Sequence, residues 1–184
     1  NWELVLVDNC SMDDSMAIVR KIGDARIRIT QLDSNHGRTP ALNIGLNNAR
    51  GEYLAILDAD DLSTPDRLQL QVDCLDNNPN LVLVASWYRN INSGGELINE
   101  VKTPTQHLDL VRVLASNCPF MNSAVMFRTE AAKRLGGYNE RFQYSQDLDL
   151  WLGLATLGEF AILPKFLTNI RLTATSLTNA PHFG

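Results

Sequence analysis

One short stretch constrains this chain more than any other. Glu52-Tyr-Leu-Ala-Ile-Leu-Asp58-Ala-Asp60-Asp61 runs an apolar segment straight into three carboxylates within four residues. Leu54, Ala55, Ile56 and Leu57 form a continuous apolar run, the pattern of a strand buried on both faces of a sheet covered by helices. The acids then fall where a central strand ends. Ligands of open α/β sheets bind outside the carboxyl ends of strands, and carboxylates gathered there suit a hard cation held through oxygen. Turn and cap residues are the plainer alternative, because Asp is common in turns and Ser63-Thr64-Pro65 reads as a helix start.

The rest of the chain narrows the kind of ligand. The 184 residues suffice for one globular domain with an ample core, and the net charge of −5 comes without basic runs or aromatic-basic interleaving. A nucleic-acid backbone is therefore an unfavourable partner, and a phosphorylated ligand needs a cation as bridge. Cys10, Cys74 and Cys118 are odd in number and far apart, so neither a disulfide framework nor a zinc site is indicated. A reducing, cytoplasmic setting is the simplest expectation. No segment has the length of a membrane span and no signal peptide opens the chain. The abrupt start at Asn1-Trp-Glu and the end at His182-Phe-Gly read as those of a fragment, with any association with the inner membrane face left to segments outside it.

In chain order, Trp2 to Val7 reads as a buried strand ending at Asp8, followed by a polar loop. A short helix follows over Met16 to Ile22, closed by Gly23, then a strand nearer an edge over Arg26 to Leu32. Asn35-His-Gly37 is a turn, and a helix from Pro40 to Ala49 leads into the acid-bearing strand. Strand, helix, strand, helix, strand implies right-handed crossovers and a mostly parallel sheet. The next helix starts at Thr64-Pro65 with Leu68, Val72 and Leu75 on one face. Leu81 to Trp87 reads as a buried strand, and Asn92-Ser-Gly94-Gly95 as a hairpin turn. The second half is less regular: a helix over Leu108 to Ala115, a strand over Ser123 to Phe127, and a helix over Glu130 to Leu135. Gln146 to Leu157 follows as a helix with Leu148, Trp151, Leu152 and Ala155 on its apolar face. Phe160 to Leu163 and Phe166 to Leu172 read as short strands. His36, His107 and His182 have no metal spacing and read as solvated, whereas Tyr53, Trp87 and Trp151 read as core or wall.

Four separated motifs then resemble one family. Leu6-Val-Asp8-Asn9-Cys-Ser11-Met-Asp13-Asp14-Ser15 resembles its nucleotide-binding loop. Asn35-His-Gly37 through Ala41-Leu-Asn43-Ile-Gly45, with Ala49-Arg-Gly51-Glu52, resembles the segment before its metal strand. Asp58-Ala-Asp60-Asp61 with Pro65 resembles an Asp-X-Asp motif. Leu135-Gly-Gly-Tyr138-Asn-Glu140-Arg-Phe142, followed by Gln146-Asp147-Leu-Asp149-Leu-Trp151, resembles the segment leading to its catalytic base. Together these resemble the family 2 glycosyltransferases. The resemblance implies an α/β GT-A fold with a Rossmann-like, mostly parallel central sheet flanked by helices. It also implies a single domain over 1–184, with 1–100 as the nucleotide-sugar half and 101–184 as the less regular acceptor half.

The implied activity moves a sugar from a nucleoside-diphosphate sugar, UDP-linked by preference, to a hydroxyl of a saccharide or lipid-linked acceptor, with inversion. By the resemblance Asp8, Asn9, Ser11 and Asp58 bind the nucleotide, and Asp60 with Asp58 serves Mn²⁺ or Mg²⁺. Asp147 is the base, Asp61 shapes the following turn, and Asn122, Gln146 and Asp149 lie on the acceptor side. The sequence departs from the family in four places. A first strand ending in Pro-Thr-Tyr-Asn is absent, Asn9 stands where a second Asp is frequent, and Gln146 replaces Glu. Thr173, within Arg171-Leu-Thr-Ala-Thr-Ser176, takes the place of a histidine metal ligand. A sugar-nucleotide-binding module without catalysis is the alternative those departures suggest. A nucleotidyltransferase is another, although its Gly-rich phosphate loop is lacking.

Overall fold

The computed structural model describes residues 1–173. It divides the chain into two compact units, one of Asn1–Leu54 and Arg128–Leu157, the other of Ala55–Phe127 and the described residues from Gly158 onward. The units are interleaved in sequence.

In the first unit, β1 (Leu4–Asp8) and β2 (Ile27–Gln31) pair in parallel, Leu4 against Ile27 through Asp8 against Gln31. The crossover between them is α1 (Ser15–Ile22), closed by Gly23 at φ +66°, a left-handed position that suits glycine. The expected full burial of β1 is not met: Leu4 is 43% exposed, and burial deepens only toward Asp8. Helix α2 (Arg38–Asn48) packs on β1, with Gly45 set against Val7. Helix α5 (Thr129–Arg134) packs on α2, and α6 (Gln146–Leu154) on α5. The buried face of α6 is Gln146, Leu150, Trp151 and Leu154, whereas Leu152, expected in the core, is 47% exposed. The apolar surplus of this helix left its inward face ambiguous, and packing against α5 selects it.

The second unit carries a mixed sheet. Its long members are β5 (Leu81–Ile91) and β8 (Glu159–Arg171), parallel to each other, with register shifts on either side of Trp87. Edge pairings are antiparallel: β4 (Leu62–Ser63) on β8, and β6 (Leu97–Val101) and β7 (Met126–Arg128) on β5. Helix α4 (His107–Leu114) packs on β8 through the buried Leu110 and Leu114. The α/β class holds, but parallel pairing is confined to β1–β2 and β5–β8 among these pairs. A hairpin explains part of the difference. Gly95 at φ +88° turns β5 into β6, while Asn92 closes the turn by accepting the Glu96 N–H at 3.0 Å. Where two short strands were expected near the C-terminal end, β8 is continuous through Pro164, with the shift to Phe166 absorbing it.

The acid-bearing strand β3 (Tyr53–Ala55) is shorter than expected and half-buried, with Leu57 46% exposed beyond it. The helix after it, α3 (Arg67–Asp76), buries Leu75 as expected, but with Arg67 and Gln71 beside it, while Leu68 of the expected face is 38% exposed. Arg67 is only 1% exposed. Its guanidinium donates to the carbonyls of Ile56 and Val125, each at 2.9 Å, and to Gln71 Oε1 at 3.0 Å. Gln71 in turn donates to the carbonyls of Ala124 and Val84. Burial pushes the Arg67 pKa down to about 10, so the group stays charged at neutral pH. A hydrophobic-periodicity reading cannot assign Arg to the inward face, yet here its guanidinium bonds main-chain carbonyls of two distant segments.

Replacing Arg67 by Met removes the guanidinium donors to the Ile56 and Val125 carbonyls and to Gln71. The variant is expected to lose about 3 kcal/mol of folding stability, read as a lower urea midpoint with unchanged slope.

Candidate functional site

The first unit holds Asp8, Asn9, Ser11, Gln146, Asp147 and Asp149. Asp8 ends β1 and is 3% exposed. One of its carboxylate oxygens accepts the Ser11 N–H at 3.0 Å, and the other is buried without a hydrogen-bond partner. Between them Cys10 turns the loop at φ +69°, an uncommon angle for a side chain of this kind. Asn9 plays a structural part, because its amide donates to Asn35 Oδ1 and to the Gly37 carbonyl while its oxygen accepts the His36 N–H. Both of its donors are thereby engaged in fastening the loop to the turn before α2. His36 is tied there as well, with Nε2 3.3 Å from Asp33 Oδ1.

Helix α6 begins at Ser145, which takes φ +59°. Gln146 follows, 5% exposed, with its carbonyl oxygen buried and unpartnered. Asp147 lies in the first turn, half-buried, and its Oδ1 accepts the Leu148 N–H at 2.9 Å. Asp149 stands in the same turn.

The second unit holds Asp58, Asp60, Asp61 and Asn122. The acids form a tight turn, the Asp61 N–H donating to the Asp58 carbonyl at 3.1 Å. Ser123 and Arg171 brace it; Ser123 did not stand out in the sequence, and Arg171 did so only as the start of the segment holding Thr173. Ser123 Oγ accepts the Asp58 N–H at 3.0 Å and its hydroxyl bonds the Asp61 carboxylate. The Arg171 N–H donates to Asp61 Oδ1 at 2.8 Å and its Nε to the Asp60 carbonyl at 3.0 Å. Its Nη1 donates to the carbonyls of Asn92 and Ser93 in the hairpin turn. Asp61 is thus a bracing residue. Burial raises its pKa, and the charges of Asp60 and Asp58 add to the rise against the opposing bonds from Ser123 and Arg171.

Asp60 points outward: it is exposed, and its carboxylate has no partner among the described residues. Asn122, in a 3-10 turn over Asn122–Ala124, is 6% exposed with both amide atoms unpartnered. His107 departs from expectation, since its Nδ1 accepts the Phe160 N–H at 3.2 Å and its ring packs edge-on against Phe160. Trp151 is fully buried core, as expected. Thr173 is described, whereas Ser176 and His182 lie outside the described residues. Cys10, Cys74 and Cys118 are free thiols. Among the described residues no helix is long and apolar enough to cross a membrane.

The sequence matches the profile of Glycosyl transferase family 2 over residues 1–136. The chain belongs to that family. An uncharacterized glycosyltransferase of Methanocaldococcus jannaschii is 30% identical over 173 residues, covering 92% of this chain and 59% of that protein. The fold is similar to that of S. aureus TarS in complex with UDP-GlcNAc, with TM-score 0.78 and 20% identity over 97% of this chain and 52% of that one. The mannosyltransferase PcManGT of Pyrobaculum calidifontis, in complex with GDP-Man and Mn²⁺, superposes with TM-score 0.70 and 21% identity over 95% of this chain and 49% of that one. The fold is therefore that of the GT-A glycosyltransferases. The chain spans about half to six-tenths of the length of these three relatives.

The raised pKa of Asp61 has a thermodynamic sign. The folded state holds this proton more tightly than the unfolded chain, so ionising Asp61 costs stability as pH rises above about 3.8, its unperturbed value. Asp61→Asn removes that cost. The stability of D61N relative to the native protein is expected to be greater at pH 7 than at pH 4 in paired urea titrations.

Proposed function

We propose that this chain is the catalytic domain of an inverting glycosyltransferase. It takes a nucleoside-diphosphate sugar as donor, UDP-linked by preference, and a hydroxyl of a saccharide or lipid-linked acceptor. Asp8 carries this reading. A carboxylate oxygen buried at a strand's carboxyl end and left without a partner costs folding free energy unless a ligand supplies a donor, and a nucleobase N–H is a suitable one. The UDP-GlcNAc and GDP-Man bound by the two structural relatives are donors of this class.

The chain's own residues divide the remaining work. Asp58 serves the ribose or the water shell of the cation. Asp60 is suited to Mn²⁺ or Mg²⁺: it is a hard oxygen donor, exposed and unengaged by protein. No group of three acidic, His or Cys side chains among the described residues forms a protein-only metal cage. Such sparse ligation is normal for a cation completed by water and substrate phosphates. When bound, that cation would offset the charge of the departing diphosphate. Ser123 and Arg171 hold the acid turn in shape while this charge is gathered. Asp147, its Oδ1 held by the Leu148 N–H, accepts the acceptor hydroxyl proton as that oxygen attacks the anomeric carbon. The bond from the anomeric carbon to the diphosphate breaks on the opposite face, so configuration inverts. Gln146, Asp149 and Asn122 are assigned to the acceptor side.

Two substitutions in the full-length protein test these roles. Asp147→Asn is expected to lower kcat by roughly 10²- to 10⁴-fold while nucleotide-sugar binding persists. Asp60→Asn is expected to remove the Mn²⁺ dependence of nucleotide binding in calorimetry. Full transfer activity in both variants would sink the reading, and nucleotide binding by the native protein without any turnover would replace it with a non-catalytic binding module.

A further inference from the structure

Between the motifs assigned to nucleotide and acceptor lies Asn43, a residue with no role in that scheme. It stands on α2, the helix that packs against the strand ending in Asp8. Its side chain pairs with the backbone N–H and carbonyl of one residue in a distant loop, as a neighbouring strand would. Nδ2 donates to the Tyr138 carbonyl at 2.8 Å, and Oδ1 accepts the Tyr138 N–H at 2.8 Å. Nδ2 also donates to Glu140 Oε1 at 2.9 Å. One turn earlier on the same helix face, the Thr39 hydroxyl donates to the Phe142 carbonyl at 2.8 Å. Thr39 is 3% exposed and Tyr138 2%.

The loop is shaped to receive this grip. Gly137 has φ +78°, and a Cβ there would lie 2.6 Å from Asn43 Oδ1 and 3.1 Å from Leu46 Cδ2. Only glycine permits both the angle and the approach. Beyond Phe142 the chain makes one left-handed residue, Ser145, and enters α6, whose first turn carries Gln146 and Asp147. The far end of α6 is seated independently, with Gly153 close against Leu135. Asn43 and Thr39 therefore fix the segment that leads into the helix start.

We propose that Asn43 is a positioning residue that sets the 137–142 loop and, through it, the aim of the Asp147 carboxylate. This rests on the glycosyltransferase reading of Asp147. A carboxylate that receives a proton from an attacking hydroxyl tolerates little displacement, because an error near 1 Å can cost about 10²-fold in rate.

Asn43→Asp is the isosteric test. It keeps an acceptor for the Tyr138 N–H but turns both donations into oxygen facing oxygen, against the Tyr138 carbonyl and the Glu140 carboxylate. Glu140→Gln in the same chain returns a donor to that contact. In the full-length protein, N43D is expected to speed hydrogen–deuterium exchange across residues 137–145 and to lower kcat by roughly 10- to 100-fold, with donor KM little changed. N43D/E140Q is expected to recover part of both. Unchanged exchange, faster exchange with unchanged kcat, or a loss shared by kcat and donor KM without recovery in the double variant overturns the positioning role. A native protein that transfers from no nucleotide sugar overturns instead the reading of Asp147 on which it rests.

Discussion

A guanidinium without solvent around it underlies the second unit. Placing Arg67 in the interior costs desolvation free energy, visible in the lowered pKa of the group. The cost is offset because Arg67 and Gln71 together satisfy the carbonyls of Ile56, Val125, Val84 and Ala124. At Val125 the guanidinium adds to a backbone bond, since the same carbonyl accepts the Ile56 N–H at 3.2 Å. An apolar residue would fill the space but supply none of these donors. Leucines at Leu68 and Leu70 flank the position without entering the deep core, so the helix is oriented by polar need more than by apolar periodicity.

The acid turn rests on that frame and on a second polar brace. Burial raises the proton affinity of Asp61, and repulsion from the neighbouring Asp60 and Asp58 adds to it. Ser123 from the 3-10 turn and Arg171 from the end of β8 hold the turn by its backbone and through Asp61. Asp60 is thereby left pointing to solvent. The division of labour among three neighbouring acids follows from which of them the protein itself engages.

Much of this was legible in the residues. Strand–helix alternation in the first half, the Asn92–Gly95 hairpin, the helices after His107 and Thr129, and the burial of Trp151 all follow from local pattern and turn chemistry. The four motifs that resemble family 2 agree with the family the chain belongs to. Less legible were the inward faces of α3 and α6, the exposure of β1, and the structural engagement of Asn9 and His107. For Arg67, Asn9 and His107 the deciding partners, Val125, Gly37 and Phe160, lie far away in sequence.

The sequence by itself determined the α/β class, the family and the set of acids available for chemistry, because these depend on short-range periodicity and on residue types at fixed spacing. Tertiary structure decided which acids the fold engages, as at Asp61, and which stay exposed, as at Asp60. It also decided that the larger sheet is mixed, that an arginine belongs to the core, and that Asn43 grips a loop some 95 positions later. These outcomes depend on satisfying buried donors and acceptors across long sequence separations, and no local pattern records where such partners will be.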